Sequence, residues 1–302
     1  MQKLKVGVVG YGNLGKQVAK QLKTNEQFEL VAVFSRRKIL GCEAYEKISS
    51  YKEKIDLMFL CVGSQTDLES TAHKLIKYFN TIDCYDNHNR IKAYIEKQNT
   101  LAKQNKKVAL CAFGWDPGLF SLMRALFDCL NLNYTTFWGK GLSQGHTQAV
   151  KNIANVIDAI QFTIPNKKAI KKIKNGEAVN NGFDLHKRVC YVVCKKEYQN
   201  EIKNQIVSMP DYFNGYKTIV KFVSLAKLNK LKSFAHTGEV LTLGEEAKFE
   251  LKLKSNPAFT ANVLVSYASS IAKLVSKQEY GAFTILDLSL NMVLKKEKFH
   301  FI

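Results

Sequence analysis

One run near the amino terminus restricts the fold more than any other part of this chain. Lys5 to Val9 has the pattern of a short buried strand, and it ends in Gly10-Tyr11-Gly12-Asn13-Leu14-Gly15. Leu14, Val18 and Leu22 then recur four apart, which is the stripe of an amphipathic helix. A strand, a Gly-x-Gly-x-x-Gly turn and a helix make the opening of a βαβ unit that holds a dinucleotide. Gly10 permits the tight turn, Gly12 lets the backbone approach a pyrophosphate, and Gly15 lets the helix pack on the strand. The helix amino terminus then faces the anion.

A second strand is predicted over residues 28–34, and Ser35-Arg36-Arg37 follows it. An NAD site places a carboxylate here, about 20 residues beyond the glycines, to grip the ribose 2′-hydroxyl. This chain has a hydroxyl and two guanidinium groups instead. Arginine suits a 2′-phosphate because its planar fork donates two parallel hydrogen bonds. The sequence therefore predicts NADP as the cofactor. The plainer alternative makes Arg36 and Arg37 a solvated loop end.

The chain has 302 residues, enough for one large or two modest domains. It is 46% hydrophobic and 24% charged, ordinary for a globular protein. No continuous apolar stretch is expected to reach the about 18 residues of a membrane span. The first strand begins so early that a signal peptide is not expected. Seven scattered cysteines without framework spacing fit reduced thiols. Together these features predict a cytoplasmic protein. Cys190 and Cys194 share one face of a predicted strand and read as core thiols, so no metal site is expected. The formal charge is +19. Lysine runs such as 167–174 suit nucleic acid or a solvated helix face; Ile170 and Ile173 at helical spacing favour the second. No base-stacking or zinc-finger motif accompanies them, so specific nucleic-acid binding is not expected.

Residues 1–113 alternate strand and helix, which predicts an α/β fold: a Rossmann-type doubly wound parallel sheet. Ligands of such sheets lie outside the carboxyl ends of the strands. The pattern changes near residue 119 to strands with period-2 patterning and longer loops, which predicts a second α+β domain with its helices on one face. The predicted division is 1–118 for dinucleotide binding and 119–255 for substrate binding and dimerisation. Residues 256–302, with a helix over 260–276, are expected to return to the first domain.

Two carboxylates stand at neighbouring strand ends, Asp86 and Asp116, where they could share an ammonium group. Asp116 precedes Pro117, so it also reads as a helix N-cap with proline in the first turn. Asp86 also reads as a turn residue. The glycine-rich segment from Phe137 to His146 reads as a carboxylate-binding loop or a connector. His186-Lys187-Arg188 brings one guanidinium to a strand start, and His236 is expected in a loop.

Several longer runs occur together and in order: Leu60-Cys61-Val62-Gly63-Ser64, Asp83-Cys84-Tyr85-Asp86-Asn87-His88, Gly114-Trp115-Asp116-Pro117-Gly118, Phe137 to His146 and Asn256-Pro257-Ala258-Phe259. With the glycine loop and Phe34-Ser35-Arg36-Arg37, they resemble the meso-diaminopimelate D-dehydrogenases over nearly the whole chain. The resemblance implies NADP-dependent oxidative deamination of the D-centre of meso-2,6-diaminopimelate, by a homodimer. It implies that Gly10 to Gly15, Ser35 to Arg37, Cys61, Gly63 and Ser64 hold the cofactor. Asp86 and Asp116 would hold the D-centre amino group. Trp115 and Trp138 would wall the pocket, with Gln144 and Gly145 at the reacting end. Thr163, Arg188, His236 and Asn256 would bind the distal L-end. A related NADP-linked amino-acid dehydrogenase on the same fold, or a non-catalytic NADP sensor, are the competing readings.

Overall fold

The computed structural model describes residues 3–64 and 67–302. The chain forms two compact units, Met1–Leu122 with Pro257–Ile302, and Met123–Asn256. In chain order the elements are β1 (Leu4–Val9), α1 (Asn13–Lys23), β2 (Phe28–Ser35), β3 (Glu43–Ala44), β4 (Leu57–Leu60), α2 (Leu68–Leu75), β5 (Asn80–Asp83), α3 (Ile91–Gln104), β6 (Val108–Leu110) and α4 (Leu119–Cys129). Then come β7 (Tyr134–Leu142), α5 (Gln144–Lys151), β8 (Asp158–Pro165), α6 (Lys167–Lys174), β9 (His186–Val193), α7 (Gln199–Ser208), β10 (Lys217–Phe222), α8 (Leu225–Leu231), β11 (His236–Thr242) and β12 (Lys248–Leu253). The chain ends with α9 (Asn256–Ala268), α10 (Ser270–Ser276) and β13 (Gly281–Phe283).

The first unit carries a sheet in the order β13-β6-β5-β4-β1-β2-β3. Its pairings are parallel. The chain runs outward from β1 to β2 and β3, then crosses back to β4 on the other side of β1. That reversal is the switch point of a doubly wound sheet, as the βαβ alternation predicts. The strands are apolar on both faces because both are covered. Val8, Phe59 and Leu110 enter a core shared with Val18 and Leu22 of α1 and with Leu264 and Ile271 of α9 and α10. Val9, Met58 and Leu60, one residue out of phase, enter a core with Leu68 and Ala72 of α2 and Tyr94 of α3. Burying a side chain such as Phe59 or Leu264 stabilises by about 1.5–3 kcal/mol.

The run Asn256–Ser276 corrects the expectation that no segment has the make-up of a membrane span. It has 21 residues, and an 18-residue window within it has a mean hydropathy of 1.3, enough by length and composition alone. Small alanine, serine and threonine residues break the continuous apolar run, so the segment is apolar only on average. Ala261, Leu264, Ala268 and Leu274 are core residues of the first unit.

The second unit carries a mixed sheet in the order β10-β9-β8-β7-β11-β12. β9 and β10 are parallel, and the other pairings are antiparallel. Helices cover both faces, not one. Ala159, Cys190 and Val192 pack with Val150 of α5 and with Ile202 and Ile206 of α7. Ile160 and Val193, one residue out of phase, pack with Leu228 of α8. Strand alternation leaves apolar side chains on both faces, so each face needs a cover. In α6 the side chains of Ala169 and Ile173 are buried while the lysines stay exposed.

Gly15 tests the packing of α1 on β1. A Cβ there would overlap the Gly10 carbonyl oxygen. Gly15→Ala should force helix and strand apart and destabilise the fold by about 1–3 kcal/mol, read as a lower urea midpoint. An unchanged midpoint would show that the contact is not close.

Candidate functional site

In the first unit, parallel pairing brings every strand's carboxyl end to one rim. Gly10 follows β1, Ser35 closes β2, Cys61 follows β4, Asp86 lies three residues past β5, and Trp115 and Asp116 lie beyond β6. Each of the three glycines has its own reason to be there. Gly10 has φ +95°, and a Cβ on it would stand 2.5 Å from the Cys61 carbonyl oxygen. A Cβ on Gly12 would meet nothing within 4 Å, so its outer side is open to a ligand. Gly12 is also the N-cap of α1 and gives that helix no side-chain capping bond. First-turn amides without a side-chain cap form an anion site. Tyr11, Asn13 and Leu14 carry the loop into the helix, Asn13 being exposed. This cradle fits a dinucleotide pyrophosphate.

At the end of β2, Ser35 is buried and its Oγ accepts the Arg37 amide at 3.1 Å, while Arg36 and Arg37 are exposed. The Arg36 fork already meets a carboxylate: Nη1 and Nη2 donate to Asp67 Oδ1 and Oδ2 at 3.0 and 2.6 Å. The sequence gives no sign of this pairing, because Asp67 lies 31 residues along the chain. That pair is solvent-exposed and contributes at most about 1 kcal/mol. A phosphate dianion at the fork is the stronger partner.

Asp86 keeps solvent-exposed surface. Crowding by protein nevertheless raises its carboxyl pKa through desolvation, opposed by a hydrogen bond from Ser64 and by the charge of His88. Gly63 is exposed beside Ser64. Trp115 is buried, its ring edge-on to Phe120 at 5.2 Å between centroids. The N-cap reading of Asp116 is corrected. α4 begins at Leu119, so Gly118 adjoins the helix and Asp116 stands in the preceding loop. Gly118 has φ +125° and the Asp116–Pro117 peptide is cis. The glycine, which the backbone needs in order to turn here, pushes the helix start two residues on.

In the second unit, register aligns the distal residues. Thr218 pairs with Arg188, Arg188 with Thr163, Thr163 with Gly141, and Gly141 with His236. His236 is therefore a buried strand residue, not a loop residue, because β11 pairs with both β7 and β12. Gly141 separates Thr163 from His236, and a Cβ on it would overlap the imidazole. The segment from Phe137 to His146 is likewise not a loop: β7 runs to Leu142, and α5 starts at Gln144. Ser143 caps that helix, accepting the His146 amide at 3.5 Å. Gln144 and Gly145 thus form its first turn. Asn256 opens α9, its amide donating to Phe234 O at 2.8 Å.

Arg188 is 6% exposed. Its Nη1 donates to Thr163 Oγ1 at 2.6 Å, and its guanidinium lies 4.2 Å from the Tyr216 ring centroid. Its Nε is buried with no hydrogen-bond partner, and no carboxylate pairs with it among the described residues. Burial lowers its pKa, countered by Tyr216. Gln161, fully buried on the same face, donates to Thr163 Oγ1 at 3.4 Å. Gln161 and Tyr216 were not singled out by sequence reasoning. A lone amide inside an apolar strand was the available signal for Gln161; nothing in the sequence tied Tyr216 to Arg188.

His186 supports this row. Its Nε2 accepts the Trp138 amide at 2.8 Å, and the two rings lie 5.1 Å apart. An accepting Nε2 in a neutral ring puts the proton on Nδ1. Burial first, and the charge of Arg188 second, pull its pKa down to about 3. The unfolded value is about 6.5. Below that value the unfolded chain binds a proton that the folded chain refuses, so this group's stabilisation is complete above it and falls as pH drops toward 3. Going from about pH 7.5 to about pH 5 should cost about 2 kcal/mol through this group. His186→Gln, whose amide oxygen can accept the same N–H, should flatten that part of the urea-midpoint profile. An equally steep profile in the variant would remove His186 as its source.

The family profile of the diaminopimelic acid dehydrogenase C-terminal domain matches residues 114–255. The chain is 39% identical to the meso-diaminopimelate D-dehydrogenase of Ureibacillus thermosphaericus, over 98% of this chain and 97% of that one. It is 36% identical to that of Corynebacterium glutamicum, over 96% and 95%. Among solved structures, the C. glutamicum DAP dehydrogenase in complex with DAP matches with a TM-score of 0.93 at 34% identity, covering 100% of this chain and 98% of that one. An engineered D-amino acid dehydrogenase bound to NADP+ matches with a TM-score of 0.92 at 33% identity, covering 99% and 98%. With agreement of this extent in sequence and in structure, the chain belongs to the meso-diaminopimelate D-dehydrogenase family.

Proposed function

We propose that this chain catalyses the reversible NADP-dependent oxidative deamination of the D-centre of meso-2,6-diaminopimelate. The products are L-2-amino-6-oxopimelate, which cyclises to tetrahydrodipicolinate, ammonia and NADPH. The observation that carries the substrate reading is the buried Arg188 without a carboxylate of its own. A buried charge needs a partner, and a di-acid substrate supplies one. Family membership supports the same substrate.

NADP, when bound, would accept the hydride from the D-centre carbon; water then adds to the iminium carbon of the substrate, and ammonia leaves as the carbonyl forms. The cradle of Gly10, Gly12 and Gly15 with the first turn of α1 would receive its pyrophosphate, and Arg36 with Arg37 its 2′-phosphate. Asp86 and Asp116 hold the D-centre ammonium in this reading. The raised pKa of Asp86 suits a proton acceptor. The proton goes to Asp86, to Asp116 or to a water they hold. In this reading Trp115 of the first unit, and Trp138, Gln144 and Gly145 of the second, are substrate contacts. Thr163, Arg188, His236 and Asn256 take the L-end, Arg188 pairing with its carboxylate. Homodimeric assembly in the cytoplasm completes the proposal.

Two sets of kinetics test it. Arg36→Ala should weaken NADP by one to two decades, about 1.5–3 kcal/mol, and NAD far less. The freed Asp67 pair offsets no more than about 1 kcal/mol of this. Equal affinity of the parent for NADP and NAD would sink the cofactor assignment. Arg188→Lys keeps the charge but loses the fork, and should raise KM for meso-diaminopimelate about 10- to 100-fold. Simple D-amino acids, lacking the second carboxylate, should be poor substrates of both proteins. Unchanged kinetics in Arg188→Lys would place the substrate elsewhere.

A further inference from the structure

Asp83 closes β5 with a fully buried side chain, three residues before Asp86. Its Oδ1 accepts two backbone amides, Tyr85 at 2.9 Å and Ala112 at 3.0 Å. Its Oδ2 accepts the Tyr94 hydroxyl, which Gln98 meets at 3.4 Å from the next turn of α3. The Asp83 carbonyl takes the Phe113 amide at 2.8 Å. One residue thus ties together the chain leaving β5 and the chain leaving β6.

The second of those chains needs the tie. Ala112 has φ +64°, a left-handed conformation that a residue with a Cβ adopts at a cost. The carboxylate grips the amide of that residue, and the turn it makes starts the loop through Gly114, Trp115 and Asp116. The first chain is held as firmly. The Tyr85 ring stacks on Tyr94 at 4.3 Å between centroids, and its hydroxyl donates to Glu69, which also pairs with Arg90 at 2.8 Å. A carboxylate with no surface, and with no cation partner among the described residues, is costly to bury. Its hydrogen bonds offset that cost and are spent on the geometry of these two loops.

We propose that Asp83 is a positioning residue, whose carboxylate fixes the separation of the loop bearing Asp86 from the loop bearing Trp115 and Asp116. The inference rests on the reading that Asp86 and Asp116 hold the reacting end of the substrate. Asp83 itself touches neither substrate nor cofactor. It acts by keeping the two carboxylates at the spacing one ammonium group requires. The phosphate-binding loops after β1 and β2 make no contact with its carboxylate, so cofactor affinity should be insensitive to it.

The test is steady-state kinetics by NADPH absorbance, well below the melting temperature, with activity normalised to folded protein. Asp83→Ser cannot span both amides; it should lower kcat by about 10- to 100-fold, as misplacement of reacting groups does. KM for NADP should stay within about threefold, since the effect is on orientation and not on cofactor binding. Asp83→Asn keeps an oxygen for both amides and should restore kcat to within about fivefold of the parent. A Ser variant with a lower melting temperature but the parent's kcat would overturn the proposal, because Asp83 would then only stabilise. Should the Ser variant fail to fold, Tyr94→Phe removes the donor on Oδ2 alone and should lower kcat several-fold; an unchanged kcat there overturns the proposal equally. Asp86→Asn and Asp116→Asn run in parallel separate the two ideas. If both keep full activity, the reading of the reacting end fails and the proposal with it. If they lose activity while Asp83→Ser does not, only the positioning role fails.

Discussion

Parallel pairing of β1 with β2 on one side and β4 on the other is the constraint on which the first unit depends. Parallel strands all end on the same side, so every loop after a strand is delivered to one rim. The chain cannot make such a sheet without helices to carry it back, and those helices cover both faces. The apolar alternation of β4, with Leu57 and Phe59 in one core and Met58 and Leu60 in the other, follows from that cover. Gly15 sets how closely α1 approaches β1, and hence where the first helix presents its amides.

The two guanidinium sites use the same chemistry at opposite solvent exposure. Arg36 is exposed, and its pairing with Asp67 is one that water and salt largely screen. It can exchange one anion for another at little cost. Arg188 is buried against Thr163 and Tyr216 without a carboxylate. Removing such a group from water costs several kcal/mol unless an anion returns part of it. An exposed arginine thus suits an anion that comes and goes, and a buried one suits strict selection of its anion. His186 belongs with the second. Kept neutral by burial and by Arg188, it adds no second charge beside that guanidinium.

Much of this was legible in the chain itself. The glycine loop, the strand before it and the helix after it specify the βαβ opening, because each glycine answers a local steric demand. The absence of an acid after β2 and the presence of Arg36 and Arg37 specify the cofactor, because the 2′-position is read by the residues at that strand end. The longer motifs specify the family. Local pattern also placed α6 correctly.

Tertiary structure decided what local pattern could not. Asp116-Pro117 has the local signature of a cap, but Gly118 turns the backbone and moves the helix start, so Asp116 is left in the loop. His236 has no strand signal of its own; pairing with β7 and β12 makes it one. That Thr163, Arg188 and His236 form a row depends on register across four strands, which no single segment encodes. Asp83 carries its meaning only in its hydrogen bonds to Ala112 and Tyr94, far along the chain. The sequence by itself determined the fold class, the cofactor and the family, since those rest on short-range sterics and motif chemistry. Which side chains are buried, paired or left without a partner was decided only by long-range packing.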